Sequence, residues 1–192
     1  MPPAPAGARF ALRDATADIH ARLHAVPAFQ ALADGRLDEA GYVALLRRML
    51  GFHMAIEASL AVAPCLAAYG VDLAERRRTG LLQADLRHFQ APEAAPPAPV
   101  PLLATAARAL GALYVTEGST LGGRQLAHGL DHLLPPGTME GRAFLLGHGA
   151  RHGAMWLACC TAIETCGRET GGLVGMQSGA VETFAAFEAW FG

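Results

Sequence analysis

Imidazole ligates metals and moves protons near neutral pH, so the eight histidines are weighed first. Three pairs are spaced four apart: His20 and His24, His128 and His132, His148 and His152. On a helix that spacing places both rings on one face, which suits a shared metal. It is equally the spacing of ordinary solvated helix residues. The chain has no His-Glu-x-x-His and no repeated Glu-x-x-His, so neither a zinc-protease site nor a ferritin-like di-iron site is indicated. His128, His132, His148 and His152 are expected to be partly exposed helix residues. His20 has more distinctive neighbours. Arg13, Thr16, Ala17, His20 and His24 step by three or four along one strip, beside an apolar stripe. The strip offers an imidazole for a metal, a guanidinium for an anion, and small residues between them. A planar, anionic, largely apolar ligand would use that set. Composition alone allows a satisfied or exposed histidine just as well.

The second group is the run Tyr114-Val-Thr-Glu-Gly118-Ser119-Thr-Leu-Gly122-Gly123-Arg124. Each glycine inside a helix costs about 1 kcal/mol relative to alanine. That cost is offset where backbone must approach a partner closely or a helix must bend. A kinked helix laying bare backbone over a flat ligand fits the run. A plain break at Gly118-Ser119, with Ser119 capping the next helix, fits it too. Gly-x-Gly-x-x-Gly and Gly-Lys-Ser/Thr are both missing from this run, so it is not a phosphate loop.

The elements that position these residues follow from apolar periodicity. Leu12, Thr16, Ile19, Leu23 and Val26 predict a helix over 10–26, stopped by Pro27. A short helical piece follows over 28–33. Asp38 or a neighbour caps a helix reaching about residue 63, with Tyr42, Leu45, Leu46, Met49, Phe52, Ile56 and Leu60 inside. A third long helix is expected over 72–88, with Arg76-Arg77-Arg78 on its solvated face. The proline-rich stretch 91–101 is a connector internal to the domain. Helical pattern resumes over 102–134, despite its glycines, and again over 138–150, 154–166 and from 174 or 176 to 191.

The 192 residues suit one domain, residues 10–192, behind a disordered lead over 1–9. Forty alanines and few Val or Ile favour an all-α fold. All 15 basic side chains are Arg, which excludes Schiff-base and P-loop lysine chemistry. Any side-chain cation on an anionic ligand is therefore Arg or protonated His. A net charge of −2 without a basic block argues against nucleic-acid binding. Pro64 and Gly70 interrupt the most apolar run, so no membrane span is expected. The lead lacks a signal-peptide pattern, and a cytoplasmic protein is expected. Cys65, Cys159, Cys160 and Cys166 lack zinc spacing and read as small buried apolar residues.

Two segments together resemble the haem oxygenase family. ALRDATADIHARLH, residues 11–24, is similar to that family's proximal helix. YVTEGSTLGGRQL, residues 114–126, is similar to its distal helix, in the bacterial biliverdin-forming version found near phytochromes. The helix containing GFHMAIE lies between them, and the resemblance covers nearly everything after residue 9. It implies a single-domain helical bundle holding haem b between a proximal and a kinked distal helix. His20 then corresponds to the axial ligand of the haem iron, with His24 as the fallback. Gly118, Gly122 and Gly123 correspond to distal glycines that let backbone contact haem and dioxygen, and Arg13 to a propionate partner. Tyr114 and Arg124 join the pocket by proximity to the motif. Ser119 stands where many members have an Asp that orders the proton-delivering water; a hydroxyl bonds water but does not buffer a proton. The implied activity is oxidative cleavage of haem to biliverdin, carbon monoxide and ferrous iron. A ferredoxin or reductase would supply electrons, and a phytochrome is a possible bilin acceptor. A non-catalytic haem carrier or sensor, and a helical interaction module without haem, are the rival readings.

Overall fold

A computed structural model describes residues 7–64 and 66–192. Eight α-helices and no strand occur among them: α1 Ala8–His24, α2 Pro27–Ala33, α3 Glu39–Ala61, α4 Thr79–His88, α5 Ala106–His128, α6 Ala143–Leu146, α7 His152–Cys166 and α8 Gly172–Phe191. The fold is all-α, as the composition predicts. Apolar stripes set the arrangement. Leu12, Thr16, Ile19 and Leu23 are the buried face of α1, and the Asp38 carboxylate caps α3 by accepting from the Gly41 amide at 2.8 Å. One apolar cluster joins α1, α3, α5, α7 and α8; a second joins α2, α3, α4, α6 and the end of α8. In the centre, α5 and α8 meet backbone to backbone. A methyl at Gly111 would strike the Met176 carbonyl, and one at Gly179 the Arg108 carbonyl.

Three helices are started by carboxylates from elsewhere in the chain. Glu164 accepts from the amides of Ala8 and Arg9 at 2.9 and 3.0 Å. Glu57 accepts from those of Arg78 and Thr79 at 2.7 and 3.0 Å. Asp85 accepts from those of Ala143 and Phe144 at 2.7 and 2.9 Å. Each satisfies orphan donors of a first turn and places negative charge at the favourable end of a helix.

These caps account for several departures from the sequence expectations. Of the disordered lead expected over 1–9, Ala8 and Arg9 instead belong to α1; residues 1–6 lie outside the described residues. The helix over 72–88 divides into a 3-10 turn, Ala74–Arg76, and α4, which Glu57 starts at Thr79. The arginine run therefore sits on a bend, and Arg78 is buried at 3% exposure instead of lying on a solvated face. The segment over 102–134 is helical only to His128. Of 138–150 only α6 is α-helical, because Gly141, Gly147 and Gly149 take φ of 76°, 64° and 61°. The connector 91–101 lies along α3, with the Ala98 amide donating to the Gly51 carbonyl and the Ser59 hydroxyl to that of Pro101. Cys159 and Cys166 are buried and Cys160 is half-buried; Cys65 lies outside the described residues.

Candidate functional site

Two stripes at four-residue spacing define a slot. On α1 the stripe is Thr16, His20, His24; on α5 it is Tyr114, Gly118, Gly122. The stripes meet at their first members, where the Tyr114 hydroxyl interacts with buried Thr16. From there both helices run to α2. The chain leaves α1 directly into it, and Gly129, just beyond α5, packs against the Leu32 carbonyl without room for a side chain. Between those two ends His20, His24 and Gly122 are exposed and Gly118 is half-buried. A methyl at Gly122 would meet nothing within 4 Å. Phe184 of α8 meets His20 edge-on at 6.0 Å between ring centroids. Trp156 of α7 lies 3.6 Å from where a methyl on Gly118 would sit. The slot is flanked by the aromatic rings of Phe184 and Trp156 and is bare-backboned along its α5 side.

Its charges suit an anionic ligand with a metal. Partial burial, and then the neighbouring His24, hold the His20 pKa below the ordinary histidine value. At neutral pH the ring is therefore uncharged, with a lone pair for a metal. Arg9 and Arg13 gather over the Phe10 ring, at 4.6 and 5.5 Å from its centroid. Burial raises the Tyr114 pKa, and Arg13 and Arg9 partly oppose that rise, so both cations act on the Tyr114 end of the slot. Among the described residues the Arg13 guanidinium makes one further charged contact, an exposed one with Asp14 at 3.5 Å.

Behind α5 lies a buried polar layer. Arg76 pairs with Glu117 at 3.0 Å, both side chains at most 7% exposed, and also donates to the Met155 carbonyl at 3.2 Å. Arg78 donates to the Thr116 carbonyl and the Ser119 hydroxyl, each at 3.2 Å, and to the Phe144 carbonyl at 2.8 Å. Burial lowers its pKa to about 10, which leaves it charged at neutral pH. His53 is fully enclosed; burial first, then Arg78, push its pKa well down, so it is neutral. These groups border a cavity of about 90 Å³ that Ile56, Leu60 and Leu113 also line. The Thr120 hydroxyl donates to the Glu117 carbonyl at 2.6 Å and is within 3.0 Å of the His152 ring nitrogens.

The expected site residues divide accordingly. His20 lies on the α1 stripe and Tyr114, Gly118 and Gly122 on the α5 stripe, the two joined at Thr16 and Tyr114, with Arg13 near that end. Gly123 is instead buried, and a methyl there would strike the Leu145 carbonyl. Arg124 donates to the Gly149 carbonyl at 2.8 Å, on a different side of α5 from the glycine stripe. Ser119 is exposed, but its proton goes to the Thr116 carbonyl at 2.8 Å while its oxygen accepts from Arg78. α5 continues through Gly118-Ser119 without the helix–turn–helix break considered for that dipeptide. Of the four histidines expected to be partly exposed, His128 and His132 are exposed and His148 is half-buried. His152 is buried, because Thr120 gives its ring a partner. Sequence reasoning missed Phe184, Trp156, Arg9 and the layer behind α5. Only Phe184 had a signal, as one of the apolar residues at helical spacing in the last helix.

The fold and site define an all-helical protein in which an imidazole-bearing helix and a helix with a bare glycine stripe meet at Thr16 and Tyr114. The chain belongs to the Heme oxygenase family, whose sequence profile matches residues 8–192. Among solved structures it is similar to the heme oxygenase of Neisseria meningitidis determined with NO and CO bound. The TM-score is 0.80 at 22% identity, over 96% of this chain and 90% of that one. It is also similar to the heme oxygenase of Leptospira interrogans, with a TM-score of 0.71 at 14% identity, over 97% of this chain and 98% of that one. Heme oxygenase-1 of the cyanobacterium Synechocystis sp. PCC6803, in complex with heme, gives a TM-score of 0.70 at 17% identity, over 97% and 91%. No curated protein sequence gives a significant match. Among the described residues no helix is long and apolar enough to cross a membrane.

Proposed function

We propose that the chain binds haem b as both substrate and cofactor and opens its ring to biliverdin, carbon monoxide and ferrous iron. Dioxygen and electrons from an external ferredoxin or reductase complete the reaction. The observation that carries this reading is the pairing of the two stripes, with a neutral imidazole on one helix and bare glycine backbone on the other. What supports the fit is that nothing lies within 4 Å of a methyl on Gly122, so the α5 backbone there is open to a flat ligand.

In this reading His20 would hold the iron, and the bare backbone at Gly118 and Gly122 would let the ring approach α5 closely. Phe184 packs against the His20 ring and fixes its orientation. Arg13 and Arg9, with the Tyr114 hydroxyl, receive the propionates at the closed end. Bound haem supplies the oxygen-activating chemistry; the chain supplies geometry, hydrogen bonds and exclusion of water. Ser119 serves as a fixed hydrogen-bonding group, since its proton is already committed to Thr116. A cytoplasmic setting and a phytochrome-type acceptor for the bilin complete the proposal.

The test is a haem titration followed by turnover with reductant under air. A 1:1 complex whose Soret band gives way to biliverdin absorbance is expected. His20→Ala should lose the normal axial ligation, while His24→Ala should keep it. A Soret band that persists under those conditions makes the chain a carrier or sensor, a reading favoured by the engaged hydroxyl of Ser119. Failure to bind haem at all overturns both.

A further inference from the structure

The arginine run is the sequence feature that the slot leaves unused, and its buried member touches the slot's wall from behind. We propose that Arg78 is a positioning residue that shapes the ligand-facing turn of α5 and casts a positive potential through that helix onto the slot. The second half rests on the haem reading; the first does not.

The geometry of Arg78 is fully specified. One terminal nitrogen bonds to the Thr116 carbonyl and the Ser119 hydroxyl, the other to the Phe144 carbonyl. The Phe144 ring lies 3.9 Å from the guanidinium carbon, and the backbone amide of Arg78 is tied to Glu57. The fork thus bridges α5 and α6 from a bend that α3 anchors. Its effect falls on one carbonyl. Thr116 accepts from Arg78 and also from Ser119. A carbonyl oxygen has two lone pairs, so these side chains compete with the amide of Thr120 for the regular helix bond. A side chain inserted into the helix ladder is an established cause of a bend. Residues 116–120 are the turn carrying Gly118, and Gly122 follows one turn later. Arg76 holds the opposite flank of that turn through Glu117. The two arginines straddle the part of α5 that forms the slot wall.

Among the described residues no carboxylate lies within ion-pair distance of the Arg78 guanidinium, although its side chain is almost wholly buried. Glu117 is engaged with Arg76, and Glu57 with the amides of Arg78 and Thr79. Glu117 and Glu57 offset part of this charge from beyond ion-pair distance, but a buried cation is less screened by water than a surface one and acts at longer range. The Arg78 Nε has no partner and is buried beside the cavity.

Two variants separate shape from charge. Arg78→Lys keeps the charge and loses the fork. Arg78→Gln keeps an amide donor and loses the charge. Amide hydrogen exchange on the haem-free protein reads the shape. Arg78→Lys should accelerate exchange over residues 117–122 at least about tenfold, leaving the centres of α3 and α8 unchanged. Affinity of the ferric haem complex for azide, with neutral imidazole as control, reads the charge. Arg78→Gln should weaken azide roughly threefold to tenfold without moving imidazole, and Arg78→Lys should leave azide within twofold. Unchanged exchange in Arg78→Lys overturns the positioning role, as does acceleration spread evenly over the whole protein. Unchanged azide affinity in Arg78→Gln overturns the potential. If the wild-type protein takes up no haem, the functional reading fails while the exchange experiment still decides the shape.

Discussion

Replacing Gly122 with Ala adds one methyl to α5 where nothing lies within 4 Å; replacing Gly123 adds the same methyl against the Leu145 carbonyl. Both gain the intrinsic helix preference of Ala over Gly, about 0.8–1.0 kcal/mol. Gly122→Ala keeps that gain, so the ligand-free protein should be stabilised by about 0.5–1 kcal/mol. For a chain of this size that raises the melting temperature by roughly 1–4 °C. Gly123→Ala must push aside backbone, and α6 yields poorly because Asp85 and Arg78 both hold it. Overpacking of that kind costs about 1–3 kcal/mol, enough to cancel the propensity gain and leave a net loss of up to about 2 kcal/mol. Haem affinity should move the other way. The methyl of Gly122→Ala enters the slot and weakens binding, whereas Gly123→Ala leaves the slot wall intact. Denaturant unfolding without ligand gives the first quantity and haem titration the second. A Gly122→Ala protein that is less stable than wild type, or that binds haem with unchanged affinity and spectrum, would refute the assignment of these neighbours to opposite faces.

Three further outcomes are expected. Glu117→Gln leaves Arg76 buried without its partner and should cost about 3–5 kcal/mol in chemical denaturation, whereas Glu188→Gln, at the exposed Arg22 pair, should cost less than about 1 kcal/mol; equal losses would contradict the burial. His53 stays neutral when folded but gains a proton near pH 6.5 when unfolded, so its contribution to stability is complete above that pH and declines below it by about 1.4 kcal/mol per unit. His53→Phe should flatten the stability curve between pH 6.5 and 5, and parallel curves for the two proteins would count against it. Arg13→Ala should weaken haem binding by less than about tenfold, because this exposed cation is screened, and the difference should shrink as salt is raised. A loss that salt does not change would give Arg13 some other role.

The legible parts of the sequence were those decided within a few turns of chain. Asp38 announces α3 because its own side chain makes the cap. Leu12, Thr16, Ile19 and Leu23 announce α1 because one face is buried throughout. His20 and the 118/122 glycines each fit a stripe by spacing, and it is the family resemblance that proposes the two stripes as one site. Features decided at a distance were not legible. Three arginines in a row look solvated until Glu117, Ser119 and the Phe144 carbonyl are known to surround two of them. Residues 72–78 carry good helical periodicity, yet Glu57 takes the amides of 78 and 79 and starts the helix there. Gly122 and Gly123 are chemically identical; only Leu145, more than twenty residues on, separates an open glycine from a packing one.

The carboxylate that starts α1 belongs to Glu164, some 155 residues further along. The helix bearing His20 is thus completed by a group from α7, and its ring is packed by Phe184 of α8. A chain clipped between α6 and α7 would retain the His20 imidazole in sequence while losing both the carboxylate that starts its helix and the ring that orients it. The orientation of this one side chain is therefore a property of the whole bundle, not of the helix that carries it.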